Sequence, residues 1–232
     1  MVFIVAEIGV NWNGNLKLAE EMVSKSKEIG CDAVKFQSFN KKLIQKHPEA
    51  SRLIDCSITS SNIEQIAKIS ESVGIEWFST PMFPEAVKIL DPYVSRFKIR
   101  WFDGQDIIQN QKSKIVENIL DTKKQIIVSS DKSPKNSLYY NNKNFKWLYC
   151  VPKYPCEIQD FEFSLMKDFD GFSNHCPHFL APLTANILGS EIIEIHITSD
   201  KSKDFVDNNV SFDYEELKQL VELLRLSEKI KK

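Results

Sequence analysis

The chain has 232 residues, 42% of them hydrophobic and 27% charged, and its 30 Lys+Arg against 32 Asp+Glu leave a formal net charge of -2. A near-neutral balance argues against a nucleic-acid partner, and no window of about 18 consecutive apolar residues offers a membrane span. The length favours one domain over residues 1–232, because α/β barrels of about 200–250 residues share a single core.

In chain order, β-branched runs predict strands at 2–8, 33–38, 75–80, 94–99, 125–130, 146–151, 169–173 and 192–197. The apolar run 2–6 ends at Glu7 with no basic segment before it, so it reads as a first strand and not as a signal peptide. A helix is expected at 16–29, where Leu16, Ala19, Met22, Val23 and Ile29 recur at helical spacing, and another at 62–73. Gly30 and Gly74 mark their ends. A last helix, 214–229, places Leu217, Leu220, Val221 and Leu224 on one face, and the basic run 229–232 after it reads as a solvated helix end. The five cysteines, at 31, 56, 150, 156 and 176, are odd in number and form no C-x-x-C, which suits free thiols in a reducing, cytoplasmic setting.

Strands alternating with crossovers give an α/β fold, a single (β/α)8 TIM barrel, in which functional side chains gather at the C-terminal strand ends. An open doubly wound sheet would need a glycine-rich phosphate loop after the first strand, and Gly9 with Gly14 does not make one. Polar residues do collect where strands end: Glu7, Lys35, Gln37, Ser79, Thr80, Lys98, Arg100, Ser129, Ser130, Tyr154, Ser173, His175, Glu194 and His196. Period two pairs Lys35 with Gln37, Lys98 with Arg100, Ser173 with His175 and Glu194 with His196 on common faces. Charges buried without partners are costly, so these groups pair with one another or hold a ligand. Several cations, a few acids and two imidazoles suit a small anion together with a metal.

The run Ala6-Glu7-Ile8-Gly9-Val10-Asn11-Trp12-Asn13-Gly14 resembles the opening of the sialic acid synthase family, usually A-E-I-G-x-N-H-N-G. Asp32-Ala33-Val34-Lys35-Phe36-Gln37, Phe78-Ser79-Thr80-Pro81, Phe97-Lys98-Ile99, Lys153-Tyr154-Pro155, Gly171-Phe172-Ser173-Asn174-His175, Ile193-Glu194-Ile195-His196 and Asp207 follow in the family's order over almost the whole chain. The resemblance implies a metal-dependent condensation of phosphoenolpyruvate with an open-chain amino-sugar aldehyde, such as N-acetylmannosamine, to give a nonulosonic acid and phosphate. It implies Mn or Mg on His175 and His196. Glu7, Glu194 and Gln37 would serve catalysis, Lys35, Thr80, Lys98, Ser129, Ser173 and Arg100 would hold phosphoenolpyruvate, and Tyr154 and Asp207 would face the sugar.

Departures from the family pattern are expected to matter. Trp12 replaces a His, and K-I-P-S-G-E has become Lys98-Ile99-Arg100-Trp101-Phe102-Asp103, losing a phosphate-contacting Ser. Asp131 stands for a Gly beside the expected phosphate, Pro152 for a small polar residue, and Asn208 for the His after Asp207. The family's C-terminal antifreeze-like domain, which contributes an Arg across a dimer, has no counterpart in the 232 residues, leaving a homodimer or a separate lid-supplying chain open. Two other functions stay open as well: a non-catalytic relative that binds a sugar or a partner, and a metal-dependent aldolase or isomerase without phosphoenolpyruvate. Among single residues, Lys35 has a second reading as a core salt bridge with Glu7 or Glu194, and Arg100 as a surface residue. His47 and His178 are expected on the surface, Cys176 facing away from His175, and Trp77, Phe78 and Phe83 in the core.

Overall fold

The computed structural model describes residues 1–230, so Lys231 and Lys232 of the basic run lie outside the described residues. Eight parallel strands form the sheet: β1 (Phe3–Gly9), β2 (Ala33–Ser38), β3 (Glu76–Pro81), β4 (Arg96–Ile99), β5 (Gln125–Ser130), β6 (Phe145–Tyr149), β7 (Gly171–Asn174) and β8 (Ile192–His196). Each pairs with the next, and β8 closes on β1 with Phe3 opposite Ile192 and Glu7 opposite His196. The expected (β/α)8 barrel is therefore present. On alternate strand positions Ile4, Phe36, Phe97 and Ile193 are fully buried on the face turned away from Glu7, Lys35, Lys98 and Glu194, between sheet and helices, while Val5 and Phe78 help to fill the barrel interior.

Helices α1 (Leu16–Ile29), α2 (Lys41–Ile44), α3 (Ala50–Leu53), α4 (Ile63–Val73), α5 (Pro84–Leu90), α6 (Trp101–Ile108), α7 (Lys114–Thr122), α8 (Leu180–Ile187) and α9 (Tyr214–Ser227) lie in the connections and after β8. Local chemistry explains their limits. Asn15 caps α1 by accepting from the Lys17 and Leu18 backbone N–H groups, and Asp213 and Glu216 form a reciprocal capping box on α9. Gly30 and Gly74 end α1 and α4 in the left-handed region, at φ 104° and 71°.

The β5–β6 and β6–β7 connections contain short 3₁₀ turns and no α-helix. Between β6 and β7 an aromatic group takes the place a helix would fill: Phe161 packs on Phe163, Phe172 and Tyr149 with ring centroids 5.2–6.3 Å apart. Strand β6 also stops two residues short of the expected 151. Cys150 N–H still bonds to Ser130 O, but Pro152 has no N–H with which to continue the ladder.

A bulge interrupts the β1–β2 pairing between Glu7 and Gly9. Gly9 has φ +54°, and a Cβ there would lie 3.2 Å from Asp207 Oδ2 and 3.3 Å from both Gln37 Nε2 and Glu7 Oε1. Only glycine lets three polar side chains approach the backbone this closely.

Candidate active site

A cavity of about 360 Å³ opens at the C-terminal end of the barrel, and all thirteen residues to which the resemblance gives a role line it, whereas the strand-end residues Ser79 and Ser130 do not. Its floor is a buried ionic network. Lys35 Nζ lies 2.8 Å from Glu7 Oε2 and 3.7 Å from Glu194 Oε2, and Lys98 Nζ lies 2.7 Å from Glu194 Oε1. Gln37 Nε2 donates to Glu7 Oε1 at 3.0 Å, Ser173 Oγ to Glu194 Oε1 at 2.9 Å, and Lys35 Nζ to Thr80 Oγ1 at 3.3 Å. Lys35 thus makes the core salt bridge and also faces the cavity.

The two carboxylates are pushed in opposite directions. Burial, only partly offset by Lys35, raises the Glu7 carboxyl above its ordinary range. Burial acts on Glu194 too, but Lys35 and Lys98, together with hydrogen bonds from Lys98 and Ser173, overcome it and hold Glu194 well below that range. Burial likewise pulls Lys98 down, whereas Glu194 and Glu7 outweigh it at Lys35 and raise that amine. Two acids whose environments separate them in this way suit a proton donor and a proton acceptor.

His175 and His196 stand with ring centroids 5.4 Å apart. His175 Nδ1 donates to Val151 O at 2.9 Å, so Nε2 carries the lone pair, and the Tyr154 hydroxyl donates to it at 2.7 Å. Burial, reinforced by His196, lowers the His175 imidazole to about 3, which keeps it neutral. His196 Nδ1 is buried without a hydrogen-bond partner among the described residues, 3.6 Å from Asp207 Oδ2. Among those residues no three His, Cys, Asp or Glu side chains converge on a common point as a closed metal site would require. The neutral His175 imidazole with its displaceable hydroxyl partner, and the unused Nδ1 of His196, do fit a divalent ion whose other positions are taken by water or a bound molecule.

Other groups supply the rim. Asn11 Oδ1 accepts from the Asp207 backbone N–H at 3.1 Å, and Asn11 Nδ2 donates to Ile197 O at 2.9 Å, which fixes the loop that carries Asp207. Ser129 Oγ is buried and has no hydrogen-bond partner among the described residues. Arg100 lies just past β4, pairs with Asp103 at 2.6 Å and is half-exposed, so it is both a surface residue and part of the cavity wall.

Several expectations need correction. Asp131 does not itself line the cavity: it sits behind the lining residue Trp101, accepting from its Nε1 at 2.6 Å, and this pairing anchors the first turn of α6. His47 is exposed as expected but also lines the mouth. Trp12 is buried and donates to Cys56 O at 3.1 Å, so the departure from the family's His serves packing. Asn208 Nδ2 donates to the carbonyls of Asp200, Lys201 and Lys203 and holds its own loop together. His178 is exposed and outside the cavity lining, as expected, whereas Phe83, expected in the core, is only half-buried.

Sequence reasoning missed Cys150, whose Sγ lies 3.6 Å from His175 Nδ1, and an apolar wall that includes Phe39, Ile44, Leu53, Met82 and Val206. Cys150 precedes the Lys153-Tyr154-Pro155 motif, which was a usable signal. Ile44 and Leu53 sit in an irregular excursion with no period to read.

The model of the NeuB family matches residues 22–232. The chain belongs to the NeuB family. Similar proteins include an uncharacterised protein of Methanocaldococcus jannaschii, 30% identical over 98% of this chain and 71% of its own length. The N,N'-diacetyllegionaminic acid synthase of Legionella pneumophila is 31% identical over 98% of this chain and 72% of its own. In three dimensions this NeuB barrel is similar to an N-acetylneuraminic acid (sialic acid) synthetase from Leptospira borgpetersenii, crystallised with citrate. The two share 27% identity and a TM-score of 0.86, over 99% of this chain and 84% of that one.

Proposed function

We propose that the protein condenses phosphoenolpyruvate with an open-chain amino-sugar aldehyde to give a nonulosonic acid and phosphate. The observation that carries this reading is the cavity floor, where two buried lysines and the Ser129 hydroxyl, unpartnered among the described residues, share one cavity with the imidazoles of His175 and His196. Membership of a family whose named members include synthases of such acids supports it.

Lys35 and Lys98 each carry three N–H donors, so pairing with Glu7 and Glu194 leaves donors for the anionic ends of phosphoenolpyruvate. Thr80, Ser129 and Ser173 add hydroxyl contacts, and Arg100 reaches the same ligand from the rim. Tyr154 and Asp207 face the sugar. A bound Mn or Mg ion, held by His175 and His196, would act as a Lewis acid on the sugar carbonyl. Carbon three of phosphoenolpyruvate bonds to the aldehyde carbon while the aldehyde oxygen takes a proton from Glu7, which Gln37 orients. Water then adds at carbon two and gives one proton to Glu194, and phosphate leaves with the electrons of its bond to that carbon and takes up the remaining hydroxyl proton as the ketone forms. Such chemistry uses small soluble substrates and suits a reducing, cytoplasmic setting, as do five buried free cysteines.

The test is phosphate release from phosphoenolpyruvate by purified protein with Mn and a panel of N-acylated amino sugars. Release that depends on both the acceptor and the protein is expected. Phosphoenolpyruvate left intact with every acceptor would overturn the reading.

A further inference from the structure

The cavity is chemically divided. Its floor is ionic, whereas the side built by the β2 and β8 loops presents Ile44, Leu53 and Val206. Ile44 and Leu53 end α2 and α3, and Val206 lies in the loop after β8. The two loops are tied across the mouth by Arg52, whose Nη1 lies 2.9 Å from Asp204 Oδ2 and whose Nη2 donates to Asp204 O at 2.6 Å. That clasp joins residues next to Leu53 and two before Val206, so the apolar wall is held together from both sides. It also occupies the arginine nearest the wall, which contacts Glu49 at 3.4 Å as well.

Resting on the proposed reaction, we infer that this wall determines acceptor specificity: it selects a sugar aldehyde whose far end is apolar, a deoxy carbon or an acyl methyl, and rejects a phosphorylated one. A phosphate placed here would need an available cation. Among the described residues that line the cavity, the lysines and the arginine are Lys35 and Lys98 on the floor and Arg100 just past β4, which the proposed reaction commits to phosphoenolpyruvate, so none is left for a second phosphate at this wall. His47 is the remaining basic group at the mouth, and because its Nδ1 accepts from the Glu49 backbone N–H at 3.1 Å it offers a ligand one donor only, Nε2. Asp207, beside Val206, adds a negative charge that repels a phosphate. A methyl group loses nothing against Ile44, Leu53 and Val206, whereas a hydroxyl or a phosphate gives up hydration with no partner in return.

Unreactive open-chain alditols test the ranking without turnover. Those of N-acetylmannosamine, its 6-deoxy form and its 6-phosphate are titrated calorimetrically into the Mn-loaded protein. The 6-deoxy alditol should bind about ten- to hundredfold tighter than the 6-hydroxyl compound, a range set by hydroxyl discrimination in apolar pockets. The 6-phosphate should bind weakest. Ile44→Arg should raise affinity for the 6-phosphate at least about tenfold, because it places a bidentate phosphate partner in the wall. Arg52→Gln, which opens the clasp, should weaken all three alike. A 6-phosphate bound as tightly as the deoxy compound, no binding by any of the three, or an Arg52→Gln loss confined to the phosphate would each overturn the inference. Phosphate release without this ranking would leave the proposed reaction standing and remove the inference, and the ranking without phosphate release would do the reverse.

Discussion

Lys98→Met is the most informative perturbation of the floor. The substitution nearly preserves side-chain volume and removes one charge, leaving the Glu194 carboxylate buried with Ser173 at 2.9 Å and Lys35 at 3.7 Å as its remaining partners. Breaking a buried ion pair on one side costs about 3–5 kcal/mol, and because Lys35 and Ser173 still compensate in part, the low end, about 3 kcal/mol, is expected. For a chain of this size about 3 kcal/mol corresponds to a thermal midpoint lower by roughly 6–12 °C. Urea unfolding followed by circular dichroism measures the loss, and the double variant Lys98→Met, Glu194→Gln tests its cause. Without the stranded carboxylate the double variant should recover about 1–3 kcal/mol relative to the sum of the single changes. The single variant should also bind phosphoenolpyruvate about ten- to hundredfold more weakly, through loss of about 1.5–3 kcal/mol of charge-assisted contact. A Lys98→Met protein within about 0.5 kcal/mol of wild type, a range typical of surface changes, would refute the idea that Lys98 and Glu194 depend on each other.

Replacing both His175 and His196 by Ala should abolish Mn binding in a calorimetric titration, and equal binding by the variant and the wild type would remove the metal assignment. Gly104 in α6 sits so close to β5 that an added Cβ would lie 2.5 Å from Ser129 O. Gly104→Ala should therefore cost about 1–3 kcal/mol of stability and weaken phosphoenolpyruvate binding by moving Ser129, and an unchanged midpoint and affinity would contradict this packing. Trp12→Phe leaves the Cys56 carbonyl without its indole partner, for an expected loss of about 1–3 kcal/mol, and a urea midpoint equal to that of wild type would show that the bond contributes nothing.

Features set by neighbours along the chain were legible in the sequence. Leu16–Ile29 is helical because its apolar positions recur at helical spacing, and it ends at Gly30 because glycine enters the left-handed region without strain. The strand ends carrying Glu7, Lys35, Lys98, Ser173, Glu194 and His196 could be read from period two, and barrel closure brings such ends to one mouth whatever the loops do. The resemblance to a known family added Asp207 and gave Tyr154 its expected role, and both lie in loops where no period operates. What only the tertiary structure decided depends on where irregular segments meet. Asp131 finds Trp101 across 30 positions, Asn11 holds Asp207 across 196, and Arg52 reaches Asp204 across 152. The apolar wall of Ile44, Leu53 and Val206 exists for the same reason. None of these contacts follows from local backbone preference, because each depends on loop paths that the closed barrel and its packed helices constrain together.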